Sequence, residues 1–571
     1  MTPRPTLPAA VVALVVLTAG CSGGDPAPEA APTTAAEPPA ATTGAPEDDA
    51  STTTTEPAPP EAAPSTSAPE PPPPALGASG VSAGHPLAAE AGMQMLEQGG
   101  SAVDAAIAAA FTDAVTQPSS SGIGGGGVAI VAADGEAVNY DYREVVNAQG
   151  EVPEDGVGVP GFVAGMHRLH EEHGELPWEV LLEPAITVAE DGHPVSDFVA
   201  EALRTPFGEE ATRDLPHFRS GGAPLQAGDP LVQTDLAATM RTLAEEGAPS
   251  FYTGSLSDRV AGVPGLDAGT LEGYEVQVSA PAAGDLAGHI LLSGAPPLPG
   301  AAIVQMAQIA EAGGIGDVDP DSAAFVDRLS QAWLVADRTV QEELGDPAFV
   351  DVPVGRITDQ EANALLAADL YDGDGGVAAV ADPYDSAPNT THISVVDEDG
   401  VGVSMTNTLT SFWGSGRYLD GYFLNDQLSR FFAIGVSDAN EPEAGRRSVS
   451  WSAPSMVVDD DYRPVLVVGT PGGRQIPSTT ASVVLRWGLH GEPLDEAVPA
   501  GRFILSDGRL RLEEPALADD LRSLGYAVDV ADPAQRSSFG SVQALAVDWE
   551  QGTVTGFADD RRSAGFVVDS P

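Results

Sequence analysis

The stretch NTTHISVVDEDGVGVSMTNTLT, Asn389 to Thr410, admits few structures. Thr391 to Val396 reads as a strand with Ile393 and Val395 on one face. Asp397 to Gly400 is a cluster of turn formers, and Val401 to Thr408 alternates again. The pattern predicts a β-hairpin. If the turn pairs Val396 with Val401, Thr390 lies opposite Asn407, and turns centred one residue later shift this only slightly. Thr408 therefore falls within about one or two ladder positions of Thr390. Two hydroxyls meet at one end of the hairpin.

Such an arrangement suits a chain that cuts itself before Thr390. The Thr390 hydroxyl attacks the carbonyl of Asn389, and the resulting ester hydrolyses. The product is an N-terminal threonine that carries a nucleophile and a base on one residue. Its α-amine, with an unperturbed pKa of roughly 7.7–8.0, can accept the hydroxyl proton near neutral pH. Taken alone, these residues fit a threonine-rich surface hairpin as well, so the rest of the chain has to decide.

The chain has 571 residues, of which 42% are hydrophobic, enough for a large core. Its 84 acidic and 25 basic residues leave a net charge of −59, and every fixed side-chain cation is arginine, since there is no lysine. That surface repels nucleic acid and anionic membranes, so a nucleic-acid partner is excluded. It favours solubility and fits a saline setting, with biased codon usage as the simpler alternative.

The only cysteine is Cys21, which rules out an internal disulfide. Arg4, the apolar run Leu7 to Leu17 and the ending LTAGC have the layout of a signal peptide over residues 1–20. LTAGC looks like a bacterial lipobox, with Cys21 lipidated as the mature N-terminus; an ordinary cleaved signal is the alternative. Residues 21–75 are mostly Pro, Ala, Thr, Glu and Ser. They read as a disordered tether with a mean reach of about 40 Å. The expected location is extracytoplasmic, with the membrane reached through the lipid anchor only.

Folded sequence follows. Pro86 to Gln98 and Ala102 to Val115 read as helices, the second so apolar that it should be buried. Pro118 to Gly127 is a glycine loop, and Val128 to Val131 a buried strand. The loop lacks the lysine of a P-loop and precedes a strand, so close backbone packing beneath a site is the better reading than phosphate binding. His167, His170 and His173 lie three apart on a helix over Val163 to His173, but no second ligand set accompanies them, and a polar face is favoured over a metal site. Val457, Val465 to Val468 and Val483 to Leu485 suggest further strands. Gly469 to Gly473 (GTPGG) is a tight turn whose two successive glycines could aim backbone N–H groups at one spot.

In order along the chain, GGSAVDAAIAAAF (Gly99 to Phe111), SSGIGGGG (Ser120 to Gly127), DYREV (Asp141 to Val145), GVPGFVAGM (Gly158 to Met166), ADRTVQEELGDPAFVDVP (Ala336 to Pro353), TTHISVVDEDG (Thr390 to Gly400) and GTPGG resemble the γ-glutamyltranspeptidase family of N-terminal-nucleophile hydrolases. The resemblance implies an α+β fold, a four-layer αββα sandwich made as one precursor and autoprocessed into a large subunit (76–389) and a small subunit (390–571). It implies Thr390 as nucleophile after cleavage at Asn389–Thr390, and Thr408 as the threonine that bonds the new α-amine. Arg143 is implied as the arginine that binds the substrate α-carboxylate, Gly472 and Gly473 as the oxyanion pair, Gln427 as a pocket glutamine, and Ser450 as one of two carboxylate-binding serines. No metal or organic cofactor is implied.

Three departures bear on the substrate. Arg430 stands where the family has an aspartate for the glutamyl α-ammonium, Thr410 where an Asn or Glu is common, and Trp451 where the second serine would be. An ammonium about 4 Å from Arg430 would be repelled by ~4 kcal/mol at an effective dielectric near 20. Asp426 is close in sequence and could serve instead, although an extended segment could point it elsewhere, and Trp451 would fill space or stack on an acyl group. The leading expectation is a self-processing γ-glutamyltransferase or γ-glutamyl hydrolase, similar to glutathione hydrolases, acting on small γ-glutamyl amides. The alternatives are an amidohydrolase for acyl groups without a free α-amine (glutaryl-type or polymer amides) and a non-catalytic surface lipoprotein.

Overall fold

A computed structural model describes residues 76–372, 389–506 and 508–569. The expected leader, Cys21 and the tether lie outside the described residues. Among those described, no helix is long and apolar enough to cross a membrane.

The hairpin is present, as Thr391–Val396 and Gly402–Thr408. Its register pairs Val396 with Gly402 and Thr391 with Asn407, one residue beyond the Val396–Val401 pairing. The reason is Asp397. Its backbone N–H donates to Val401 O at 3.1 Å, and its Oδ1 accepts from the amides of Asp399 and Val401. The turn therefore takes in Val401, and by extension Thr390 faces Thr408.

Thirteen strands build two antiparallel sheets. In chain order they are β1 (Ser79–Ala83), β2 (Gly126–Ala133), β3 (Glu136–Asp141), β4 (Gln277–Ser279), β5 (Ala282–Leu286), β6 (His289–Ser293), β7 (Thr391–Val396), β8 (Gly402–Thr408), β9 (Ser455–Val458), β10 (Pro464–Gly469), β11 (Gln543–Asp548), β12 (Thr553–Ala558) and β13 (Gly565–Asp569). The first sheet runs β13-β1-β7-β8-β2-β3-β4 and the second β12-β11-β10-β9-β6-β5. The sheets face each other, with β7 and β8 over β10 and β11.

Helices cover both outer faces, which completes the αββα sandwich. On the first sheet lie α1 (Pro86–Glu97), α2 (Ala102–Thr116), α3 (Phe162–His173) and α4 (Trp178–Asp191). All fifteen residues of α2 are buried, as its composition requires. Ser101 caps it in a reciprocal box with Asp104, and Asp397 accepts from Ala102 N at 2.9 Å. On the second sheet lie α6 (Gly300–Ala312), α7 (Ala323–Glu343) and α8 (Ile476–His490); α5 (Asp197–Arg204) packs in a smaller cluster with Leu409, Trp413 and Phe423.

One expectation is corrected here. Val483 to Leu485 is no strand but part of α8. The helix is buried over most of its length, so its apolar run carries no period that separates it from a buried strand. The three histidines on α3 lie part-exposed with polar partners, as a polar face would have them: His167 lies 3.5 Å from Glu171, His170 meets Leu176 O and His173 meets the Tyr140 hydroxyl. No cluster able to hold a metal occurs among the described residues.

The space between the sheets is divided. At the end farthest from Thr390 it is apolar, with Val396, Met456, Val458, Val467 and Leu545. Toward Thr390 it becomes a polar seam. His392 lies there fully buried, its ring against Gly469, with Nδ1 2.9 Å from Thr406 Oγ1 and Nε2 3.1 Å from Ser394 Oγ. Ser394 and Ser404 donate across the seam to Gln543 O and Val468 O. Burial pushes the His392 imidazole down to about 3. A depressed folded pKa means that this residue's stabilising contribution is complete above the unfolded value near 6.5 and is lost as pH falls toward about 3. His392→Gln should reduce the loss of unfolding free energy on acidification, by up to about 5 kcal/mol when titration is complete. Chemical denaturation of both proteins from pH 7 to 4 checks this; parallel curves would show that His392 titrates normally.

Candidate active site

Thr390 and Thr408 end neighbouring strands, and Thr390 Oγ1 donates to Thr408 Oγ1 at 3.2 Å. Thr408 Oγ1 also accepts from Thr410 N at 2.8 Å, which fixes its orientation. The glycine loop makes this close packing possible. A Cβ at Gly125 would strike the Thr408 carbonyl oxygen, and one at Gly124 the carbonyl of Phe423. The loop serves backbone contact beneath the site, as its sequence suggested.

The backbone at Asn389–Thr390 is under constraint. Thr390 has φ +105°, a conformation rare outside glycine that costs on the order of 1–3 kcal/mol. Four hydrogen bonds hold it. Gly472 N–H donates to the Asn389 carbonyl oxygen at 3.3 Å, the Asn389 side-chain amide donates to Ser119 O at 3.2 Å and to Ser411 O, and Thr390 N–H donates to Asn389 Oδ1 at 2.6 Å. Gly472 and Gly473 have φ +148° and +60°, which only glycine adopts without strain. The Asn389 carbonyl oxygen is thus met by a backbone donor, next in sequence to the Thr390 hydroxyl.

A chain of hydrogen bonds links three of the remaining expected residues. Thr410, itself at φ +84°, donates its hydroxyl to Gln427 Oε1; Gln427 Nε2 donates to Ser448 Oγ at 2.9 Å; Arg143 Nη1 donates to Ser448 O at 2.9 Å. Arg143 has no accessible surface. Asp141 holds its Nε–Nη2 edge, at 3.0 and 2.6 Å, and Arg447 approaches the same carboxylate at 3.5 Å. Burial opposes charge on Asp141, yet the two guanidiniums overcome it and hold the carboxyl below its usual range.

Arg430 is on a 3-10 turn, Gln427–Phe432, rather than an extended segment. Asp426 precedes that turn and points back at the site, its Oδ1 accepting from Ser411 N at 2.8 Å. Burial raises the Asp426 carboxyl, and Arg430 opposes the rise. Ser450 is buried, but the hydroxyl that meets Gln427 is that of Ser448. Trp451 lies in the core beneath the second sheet, its ring 5.9 Å from that of Trp333, rather than open to an acyl group.

Sequence reasoning missed Ser448, Asp141 and Glu144. Glu144 is fully buried with neither carboxyl oxygen hydrogen-bonded among the described residues, and burial pushes it up to about 8. It lies against Gly126, which pairs with Thr408. Its place beside Arg143 in DYREV was a signal; its burial was not readable from a single chain.

A sequence profile described as gamma-glutamyltranspeptidase matches residues 88–568. The capsule biosynthesis protein CapD proenzyme of Bacillus anthracis is 33% identical over 491 residues, covering 85% of this chain and 90% of that protein. The glutathione hydrolase proenzyme of Pseudomonas aeruginosa is 33% identical over 541 residues, covering 86% and 94%. Among solved structures, the cephalosporin acylase of Bacillus halodurans superposes with a TM-score of 0.77 at 23% identity, over 89% of this chain and 98% of that one, a likeness of fold.

The buried Asp141 carboxylate yields a stability prediction independent of the chemistry. Asp141→Asn leaves two buried guanidiniums without their common anion and should lower the unfolding free energy by about 3–5 kcal/mol. Denaturant unfolding measures it, and a loss below about 1 kcal/mol would show that other acceptors suffice.

Proposed function

This chain belongs to the γ-glutamyltranspeptidase family and is an enzyme, and from that premise we propose that it cuts its own Asn389–Thr390 bond and then acts on γ-glutamyl amides through Thr390. The observation that carries the reading is the Gly472 N–H on the Asn389 carbonyl oxygen, with the Thr390 hydroxyl bonded to Thr408 beside it. In the first reaction Thr390 Oγ1 loses its proton and adds to the Asn389 carbonyl carbon. Negative charge gathers on the oxygen facing Gly472, the C–N bond breaks as the nitrogen takes up a proton, and an ester remains. Water hydrolyses that ester. The relief of φ strain at Thr390 favours the forward direction.

The freed α-amine of Thr390 then serves as base for its own hydroxyl, with Thr408 holding the pair in place. The substrate amide is attacked, Gly472 and Gly473 receive the oxyanion, and water or an amine resolves the acyl-enzyme. Gln427, Thr410, Ser448 and Ser450 are the polar wall for the acyl group. Arg143 can take a carboxylate only through its Nη1–Nη2 end, because Asp141 occupies the other edge. Asp426 is the group placed to meet an α-ammonium. Cys21 is proposed to anchor the enzyme outside the cell by a lipid, with residues 21–75 as tether.

Arg430 favours a second reading with the same chemistry, in which the acyl group ends in a carboxylate and has no free amine. Arg430→Asp separates the two. It should raise kcat/KM on a γ-glutamyl anilide by at least about tenfold if the ammonium is repelled in the native pocket. No gain, with Asp426→Asn abolishing turnover, would show that Asp426 already serves the ammonium.

Intact mass and N-terminal sequencing of the purified ectodomain test the maturation step. Two chains are expected, the smaller beginning at Thr390, and Thr390→Ala should stay uncut. A wild-type chain that remains whole would refute the mechanism.

A further inference from the structure

The two oxyanion glycines cannot hold themselves in place. Each lies at positive φ and lacks a side chain, so the direction of their N–H groups is set by the residues around them. The first side chain after the pair is Arg474. Its Nη2 donates to Asp337 Oδ2 at 2.7 Å and its Nη1 to Ser506 Oγ at 3.0 Å, and the guanidinium lies over the Trp333 ring at 5.9 Å. Asp337 is almost fully buried and Arg474 nearly so. Trp333 is fixed in turn by its Nε1–H donating to Leu505 O at 2.9 Å. Asp337 and Trp333 both come from α7, which precedes the scissile bond, whereas Gly472 to Arg474 follow it.

We infer that the Asp337–Arg474 ion pair is a positioning device for the oxyanion donors, and that it spans the cut. The inference rests on the self-cleavage proposed above. Arg474 touches no reacting atom. It acts through the backbone of Gly473, to which it is joined, and through Gly472, whose N–H already meets the Asn389 carbonyl. A planar fork gripped by a carboxylate on one side and a hydroxyl on the other fixes orientation as well as distance, which a single contact would not. After cleavage the same pair joins the two pieces, so the small subunit's oxyanion donors depend on a carboxylate of the large subunit. A shift of about 1 Å in such donors can cost on the order of 100-fold in rate.

Self-cleavage offers a readout that needs no knowledge of the substrate. Pulse-labelled wild type, Asp337→Asn, Arg474→Gln, the double variant, Asp337→Glu and Asp321→Asn would be followed by gel and intact mass. Melting temperatures would be taken on the same substitutions in the uncut Thr390→Ala background. Asp321 pairs with Arg486 at 2.9 Å, also across the cut but away from the glycine turn, and is the control. The expected result is cleavage slowed by about tenfold or more in each single variant, no further slowing in the double variant, partial recovery in Asp337→Glu, and wild-type cleavage in Asp321→Asn. Wild-type rates in Asp337→Asn would overturn the inference. So would additive losses in the double variant, or losses that follow the melting temperature alone. Failure of the wild type to cleave would remove the reading on which it rests; cleavage of every variant at one rate would remove the clamp alone.

Discussion

The register of one hairpin governs the site, and a single carboxylate sets that register. Asp397 gathers the amides of Asp399 and Val401 into the turn and caps the buried helix α2 at Ala102. A slip of one residue would send Thr390 and Thr408 to opposite faces, because strand side chains alternate. The outward face is as closely specified. Ile393, Val395, Val403 and Met405 pack under the helices, so the inward face must carry His392, Thr406, Thr408 and Thr390. Burial on one side thus directs the hydroxyls on the other.

The polar seam between the sheets is the second constraint. Most sandwiches fill that space with hydrocarbon, and the far end here does so. Near Thr390 the same space holds a neutral imidazole and a row of serine and threonine hydroxyls, each with a partner. Pairing across such a seam favours one alignment of the sheets over nearby alternatives. It also brings β10 and its glycine turn up to the start of β7, where the Asn389 carbonyl waits.

How much of this was legible depended on how local the cause was. The hairpin, α1, α2 and the glycine loop were readable because their signals lie within a dozen residues: alternation, a capping serine, an all-apolar helix, glycines before a strand. The Thr390–Thr408 juxtaposition followed from the turn alone. Val483 to Leu485 was misread because a buried helix and a buried strand share one apolar pattern. Ser448, Asp141 and the Asp337–Arg474 pair were missed because their meaning lies in partners distant in sequence. Resemblance supplied the positions of Arg143, Gln427 and Ser450, but not the fact that Asp141 already holds Arg143, nor that Trp451 turns into the core.

The Asn389 carbonyl seated on Gly472 has a consequence for how such a chain begins its life. On the proposed mechanism the uncut chain is its own first substrate, tethered at an effective concentration no free amide could match. That one turnover would proceed without a binding step and report the chemistry alone. On the same reading that occupancy keeps every other amide out, and the enzyme stays shut until its own carbonyl has been released from Gly472.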